Sequence, residues 1–269
     1  MLIGLQSKYK LGSSRVPSQT YYKTSDPRVL SPSIVKSAVK EILFLAQKEL
    51  DRTIRELAVL DIGSGYGEYS FEIEKYVKKV VGVEPFLPVY KKAISKKKKI
   101  HSKVSFYNLP VEEFKSRQMF DLVVSLTTIE HMPEANESFL HIFELMRKGA
   151  VIYLTAPNKL WPFEHHYRLL FLSWLPSGLA DYYVRITGRG KSYRDSAYSK
   201  TYFGMRKFFD QFQCDYKFIL PQDANASYLG CGTEKGVYRI IKSLGIYLIS
   251  KFPFFWIFSK GFIMLIRKR

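Results

Sequence analysis

Val59-Leu60-Asp61-Ile62-Gly63-Ser64-Gly65-Tyr66-Gly67 reads as a buried strand that runs into a glycine turn and opens a helix over roughly Glu68–Lys78. Glycines at 63, 65 and 67 permit backbone angles closed to other residues and let a ligand approach the main chain with no Cβ in between. The helix aims its first amides at the same spot. Dinucleotide sites place G-x-G-x-x-G in such a turn. Here the spacing is G-x-G-x-G, with Asp61 two residues ahead of the first glycine. A carboxylate there opposes a pyrophosphate and suits an amino group or a cation.

Val80-Val81-Gly82-Val83-Glu84 reads as a second strand, ending in an acid 19 residues after Gly65, where one carboxylate can take both hydroxyls of a ribose. Two acids placed for a ribose and an amino acid favour S-adenosylmethionine over a dinucleotide. Strand and helix patterns then alternate: Leu87–Lys98, Val104–Tyr107, Val111–Phe114, Phe120–Leu126, Glu134–Met146 and Ala150–Ala156. This alternation predicts an α/β fold, a doubly wound and mostly parallel sheet with helices on both faces. Ligands of such sheets sit at the carboxyl ends of the strands, where Asp61, Glu84, Asn108 and Thr127 all fall.

With these blocks in this order (VLDIGSGYG, VVGVEP, YNLPVEEF, FDLVVSLTTIEHMPE and GAVIYLTAPN), the stretch from about residue 55 to 160 resembles the class I S-adenosylmethionine-dependent methyltransferases. Within them it resembles the ubiquinone-biosynthesis-type and type 11 families. The resemblance implies a seven-stranded Rossmann-like sheet and S-adenosyl-L-methionine as methyl donor. Carried onto this chain, it implies that Asp61, Gly63, Ser64, Gly65 and Gly67 hold the methionine part and that Glu84 and Pro85 face the ribose. Asn108, Val111 and Glu112 would border the adenine, and Leu126 and Thr127 would close the site after the fourth strand. Two departures stand out: Pro110 occupies a position where many relatives carry an adenine-binding acid, and Lys148-Gly149-Ala150 replaces a common Pro-Gly-Gly turn.

Methyl transfer to oxygen also needs a base beside the nucleophile. The candidates are His131 in the Glu130-His131 pair, and His165 and His166 in the segment after Pro157-Asn158, with Glu164 placed to orient either. Histidine titrates near neutrality and suits hydroxyl deprotonation. Bracing of the loop by Glu130 and His131 is the competing reading. Cys214 and Cys231 match no zinc spacing, so no metal is expected, and so few cysteines fit a reduced, intracellular protein.

The 269 residues, 46% apolar, suffice for one large core with an insertion. We divide the chain into an N-terminal arm and helix (1–56), a cofactor-binding core (57–158), and an acceptor-side insertion with the last strands and an amphipathic C-terminal segment (159–269). The arm reads as loop up to about residue 30, then as a helix over Ser33–Glu56 capped by Ser31 or Ser33. Residues 158–200 lack a regular period. Thr201–Phe212 reads as helix, and Tyr216–Leu220 and Gly261–Ile266 as the closing strands. The net charge of +18 leans to the C-terminal part, together with many aromatics. That mixture serves an anionic membrane surface or, as the alternative, RNA; a fold kept without catalysis is a third option. Arg239, Lys242, Lys251 and Lys260 interrupt the apolar tail, so no membrane-spanning helix is expected. Its helix, ending at Pro253, would either pack on the core through Ile240, Ile241, Leu244, Tyr247 and Leu248 or lay that face in a membrane. The expected acceptor is therefore small or lipid-linked, and the expected location is the cytoplasm, with peripheral attachment to the inner membrane face.

Overall fold

The computed structural model describes residues 32–194, 197–220 and 237–269. The N-terminal arm, Ser31 and Cys231 lie outside the described residues. Seven strands form one sheet in the order β3-β2-β1-β4-β5-β7-β6: β1 Ala58–Ile62, β2 Lys79–Val83, β3 Ser105–Tyr107, β4 Phe120–Leu126, β5 Met146–Pro157, β6 Cys214–Phe218 and β7 Gly261–Lys268. The first five are parallel, and β7 runs antiparallel to both β5 and β6.

Because strand side chains alternate between faces, each strand feeds two cores. Leu60, Ile62, Val81, Val123, Ile152 and Met264 pack against α4 (Ala135–Leu145) and α6 (Tyr202–Phe209) through Phe139, Ile142, Phe208 and Phe209. Val59, Val80, Leu122, Val124, Tyr153 and Leu265 pack against α1 (Pro32–Gln47), α2 (Glu68–Ile73) and α3 (Leu87–Ile100) through Val39, Ile42, Ile73 and Ala93. Each fully buried side chain of this size contributes about 1.5–3 kcal/mol of hydrophobic free energy.

Several expected boundaries move. The first helix stops at Gln47, where the amides of Glu49 and Leu50 both turn back to Ala46 O. α2 ends at Ile73, and Glu74 is drawn off by Ser102 Oγ (2.7 Å) and the Lys103 amide. Val111–Glu113 is a short 3-10 turn. β5 begins at Met146, with Gly149 at φ 76° inside a register shift against β4, so the unusual Lys-Gly-Ala lies within the strand.

The stretch expected to be irregular holds α5, Ser177–Ile186, with a small core of its own from Tyr167, Leu169, Leu172, Ala180, Val184 and Tyr193. α7, Val237–Lys251, ends before Pro253 as expected. Of the face expected to pack on the core, Ile240, Ile241, Leu244 and Tyr247 are all more than half exposed, and near the helix's end Ile249 packs, partly buried, against the first core. Further attachment to the core comes from the 3-10 turn Pro253–Phe258, whose Trp256 is buried against Phe218 and Phe262. No helix among the described residues is long and apolar enough to cross a membrane.

Candidate functional site

The glycine turn is held by the neighbouring strand. Gly63 and Ser64 donate their amides to Val83 O (2.9 and 3.0 Å), and Gly67 donates to Ser64 O. All three glycines have positive φ, at 67°, 56° and 81°, but for different reasons. A Cβ on Gly63 would lie 2.6 Å from Thr128 Oγ1, and one on Gly67 would lie 2.8 Å from the rings of Phe71 and Phe106. A Cβ on Gly65 would meet nothing nearer than Gly63 O at 3.9 Å. Gly65 is thus the glycine that leaves open space.

Glu84, at the end of β2, accepts the Gly65 amide on Oε2 (2.9 Å) and the Phe86 amide on Oε1 (2.8 Å). The carboxylate therefore fixes the glycine turn and retains lone pairs for a diol. Burial raises its pKa, and the two amides oppose the rise. Asn108 donates to Glu84 O (2.8 Å) and Pro85 O (3.0 Å), so it braces the backbone that follows β2. Asp61 is buried and accepts Ser70 Oγ at 2.5 Å. Burial pushes its carboxyl up to about 7; the Ser70 bond opposes this, and the charges of Glu84 and Glu68 add to it.

Val111 is buried in the core, and Glu112 is engaged by the Ser138 hydroxyl of α4. The Glu112 carboxylate, expected beside an adenine, is thus turned toward a helix. Leu126 and Thr127 end β4. Thr127 sits at φ 50°, unusual for a β-branched residue, and its amide is held by Thr155 O (3.0 Å). Sequence reasoning missed two supports. Thr128 Oγ1 donates within 3.1 Å of Ile62 O and Leu126 O, clasping β1 to β4, and Gly82 leaves room for Phe106 and Ser64 Oγ. The Ser64 hydroxyl is shielded and has no hydrogen-bond partner among the described residues. That buried hydroxyl, the open side of Gly65 and the paired acids Asp61 and Glu84 fit a cationic amino-acid nucleoside.

Beyond Thr128, the 3-10 turn Ile129–His131 carries Glu130 and His131. The chain after β5 returns to the same place. The ring centroids of His131 and His166 are 4.9 Å apart, and those of His165 and His166 are 6.4 Å apart. The structure therefore brings the three histidines singled out from sequence into one cluster. Glu164 grips the backbone of this turn, accepting the amides of His166 (2.8 Å) and Tyr167 (2.6 Å), and its carboxyl is raised to about 7 by burial against those bonds. Burial lowers the His166 pKa well below the ordinary imidazole value, and His131 and His165 lower it further. His165, rather than His166, lines a crevice shared with Trp161, Phe163, Tyr193 and Lys260.

Asn158 ties the segment after β5 to the turn before β7: its side-chain amide faces the carbonyls of Trp256 (3.3 Å), Ile257 (2.9 Å) and Ser259 (2.8 Å). Around that junction Phe163, Phe171, Trp174, Phe254 and Phe258 are exposed.

A methyltransferase-domain profile matches residues 35–196. A ubiquinone biosynthesis O-methyltransferase of Rhodopseudomonas palustris (strain TIE-1) is 27% identical over 105 residues, 39% of this chain and 42% of that protein. Its counterpart in Bradyrhizobium diazoefficiens is 23% identical over 154 residues, 53% of this chain and 60% of that protein. The matched stretch thus spans about 42–60% of these relatives' length. Among solved structures, the plantazolicin methyltransferase BpumL in complex with SAH superposes with a TM-score of 0.56 at 15% identity, covering 95% of both chains. Magnesium protoporphyrin IX methyltransferase from Synechocystis PCC 6803 with bound SAM does so with a TM-score of 0.52 at 15% identity, covering 91% of this chain and 82% of that one.

Proposed function

This chain belongs to the methyltransferase-domain family, and from that premise we propose that it is an S-adenosylmethionine-dependent enzyme that methylates a hydroxyl oxygen on a small or lipid-linked acceptor, with His165 as the base. The donor supplies a methyl group on a sulfonium sulfur. Asp61, Ser64 and Gly65 hold its amino-acid end, and Glu84, braced by Asn108, holds its ribose. His165, facing the crevice, takes the hydroxyl proton as the oxygen lone pair forms the O–C bond. The C–S pair stays on sulfur as a neutral thioether.

The observation that carries this reading is the convergence of His131, His165 and His166 beside the β4 turn, with the Nε2 atoms of His165 and His166 shielded from water. The lipid-linked acceptor is supported by the exposed Phe163, Phe171, Trp174, Phe254 and Phe258 on a chain of net charge +18. Such aromatic and basic surfaces suit the boundary of an anionic bilayer, where this reading places the enzyme, on the cytoplasmic side. Incubation with methyl-labelled donor and separate lipid, small-molecule and RNA fractions tests the assignment. Label is expected in the lipid or small-molecule fraction, and His165→Gln should lower turnover by about 10²–10⁴-fold. Label appearing in RNA alone would reject the acceptor class, and unchanged turnover in the variant would reject the base.

A further inference from the structure

We propose that the Tyr193 phenol is a further catalytic group, the hydrogen-bond donor that receives the acceptor oxygen in the crevice shared with His165. Tyr193 is 4% exposed, yet its hydroxyl makes no hydrogen bond among the described residues. It lines the crevice together with Trp161, Phe163, His165 and Lys260. The neighbouring tyrosine supplies the contrast. Tyr167 packs edge-on against Tyr193, with ring centroids 5.8 Å apart, and donates its own hydroxyl to Ser192 O (2.7 Å). One hydroxyl of the pair is used by the fold and the other is not. A buried polar group without a partner destabilises the fold that holds it, and a phenylalanine would fill the same space without that loss. The Tyr193 hydroxyl is therefore explained by what enters the crevice.

Its position is fixed from behind. Asp181, the buried acid of α5, accepts the Tyr193 amide (2.7 Å) and Ser192 Oγ (2.9 Å) on Oδ1, and its Oδ2 pairs with Arg194 Nε (3.3 Å). Further along, Tyr198 donates its amide to Glu130 O (3.3 Å), which holds this segment against the β4 turn. The acid inside an otherwise apolar helix face is thus the anchor of one aromatic residue. A donor whose geometry is held in this way acts on a transition state without first reorganising.

The surroundings decide what the phenol can do. Burial raises its pKa above the ordinary tyrosine value, and Glu164, Tyr167 and Glu130 raise it further. Glu130 has a carboxylate oxygen within 4.8 Å of a ring nitrogen of His131 and of His166. His165 and Lys260 in the crevice and the Asp181–Arg194 pair at the backbone complete the titratable and charged groups around it. Tyr193 therefore keeps its proton and gives a hydrogen bond; it is not the base. His165 takes the acceptor proton, the oxygen lone pair forms the O–C bond, the C–S pair stays on sulfur, and the Tyr193 proton stays where it is. As negative charge grows on the acceptor oxygen, the hydrogen bond from Tyr193 strengthens. Held between Tyr193 and His165, the oxygen keeps a lone pair for the methyl group.

This role rests on the function proposed above. The test uses the full chain, wild type and Tyr193→Phe, with 4-nitrophenol as a probe whose ionisation is read by visible absorption, with and without S-adenosylhomocysteine. Tyr193→Phe keeps the ring against Tyr167 and removes only the hydroxyl. The wild type is expected to bind the phenolate about tenfold tighter than the neutral phenol, and the variant to lose that preference. Turnover of the labelled acceptor fraction at saturating donor should fall about tenfold or more. The melting temperature of the variant should not drop, and its S-adenosylhomocysteine affinity should match the wild type. No phenolate binding or no preference in the wild type, or the same preference in Tyr193→Phe, overturns the proposal. A lowered melting temperature with the preference kept would assign the hydroxyl to the fold and overturn it as well. If S-adenosylhomocysteine does not bind the wild type, the reading of function falls, and the phenolate comparison made without it still decides whether Tyr193 donates in the crevice.

Discussion

Gly65→Ala and Gly67→Ala should separate binding from folding within one turn. Both residues hold positive φ, so any Cβ costs about 1–2 kcal/mol of backbone strain. At Gly65 nothing is added, because the nearest heavy atom to the new carbon is 3.9 Å away. With about 2–4 °C lost per kcal/mol in a chain of this size, Gly65→Ala should melt about 2–8 °C below the wild type. At Gly67 the new carbon lies 2.8 Å from Phe71 and Phe106, both buried in the second core. Overpacking there adds about 1–3 kcal/mol, for a total of about 2–5 kcal/mol and a drop of about 4–20 °C. Titration calorimetry with S-adenosylhomocysteine reverses the order of severity. The Gly65 methyl occupies the space a ligand needs and should weaken binding tenfold or more, about 1.4 kcal/mol. Gly67→Ala should bind nearly normally at temperatures where it is folded. Wild-type affinity in Gly65→Ala, or a larger melting drop there than in Gly67→Ala, would refute the reasoning.

Two further outcomes follow from buried groups. The Asp61 carboxyl is held near 7, above its unfolded value of 3.8, so ionising it costs stability. In the absence of ligand its contribution is full below about pH 4 and is lost as pH rises through 7. A ligand ammonium group needs the ionised form, so S-adenosylhomocysteine affinity should fall about tenfold from pH 8 to pH 6. In Asp61→Asn that slope should vanish; a slope kept by the variant assigns the titration elsewhere. Asn158→Ala strips the carbonyls of Trp256, Ile257 and Ser259 of their shared donor and should cost about 2–4 kcal/mol in urea unfolding. A loss under about 1 kcal/mol would show that apolar packing, led by Trp256, and not these bonds anchors the C-terminal segment.

Much of the architecture could be read from the chain because the central strands are apolar runs bounded by glycine, proline or acids. Ala58–Ile62 and Phe120–Leu126 fall where the pattern placed them. α5 escaped because its pattern is inverted: Ala180, Asp181 and Val184 face inward while Leu179, Tyr182 and Ile186 face out. Asp181 is tolerated inside because it accepts Ser192 Oγ and the Tyr193 amide. At the site, Asp61, Glu84 and the glycines were legible because strand-end acids and a local turn are sequence-near features. The Thr128 clasp spans 66 residues to Ile62, and the meeting of Glu130 with His166 spans two separate loops. Contacts of that kind leave no periodicity to find. The side-chain engagement of Glu112 with Ser138 depends likewise on where α4 docks.

The account is tested most directly by titration calorimetry of S-adenosylhomocysteine into the wild type and Glu84→Gln at pH 8, with thermal unfolding to confirm that both are folded. Glu84 both fixes Gly65 and faces the ribose in this account, so one-to-one binding by the wild type and at least tenfold weaker binding by Glu84→Gln are expected. Equal affinity in the two folded proteins would contradict it, because the cofactor would then lie away from the carboxyl end of β2.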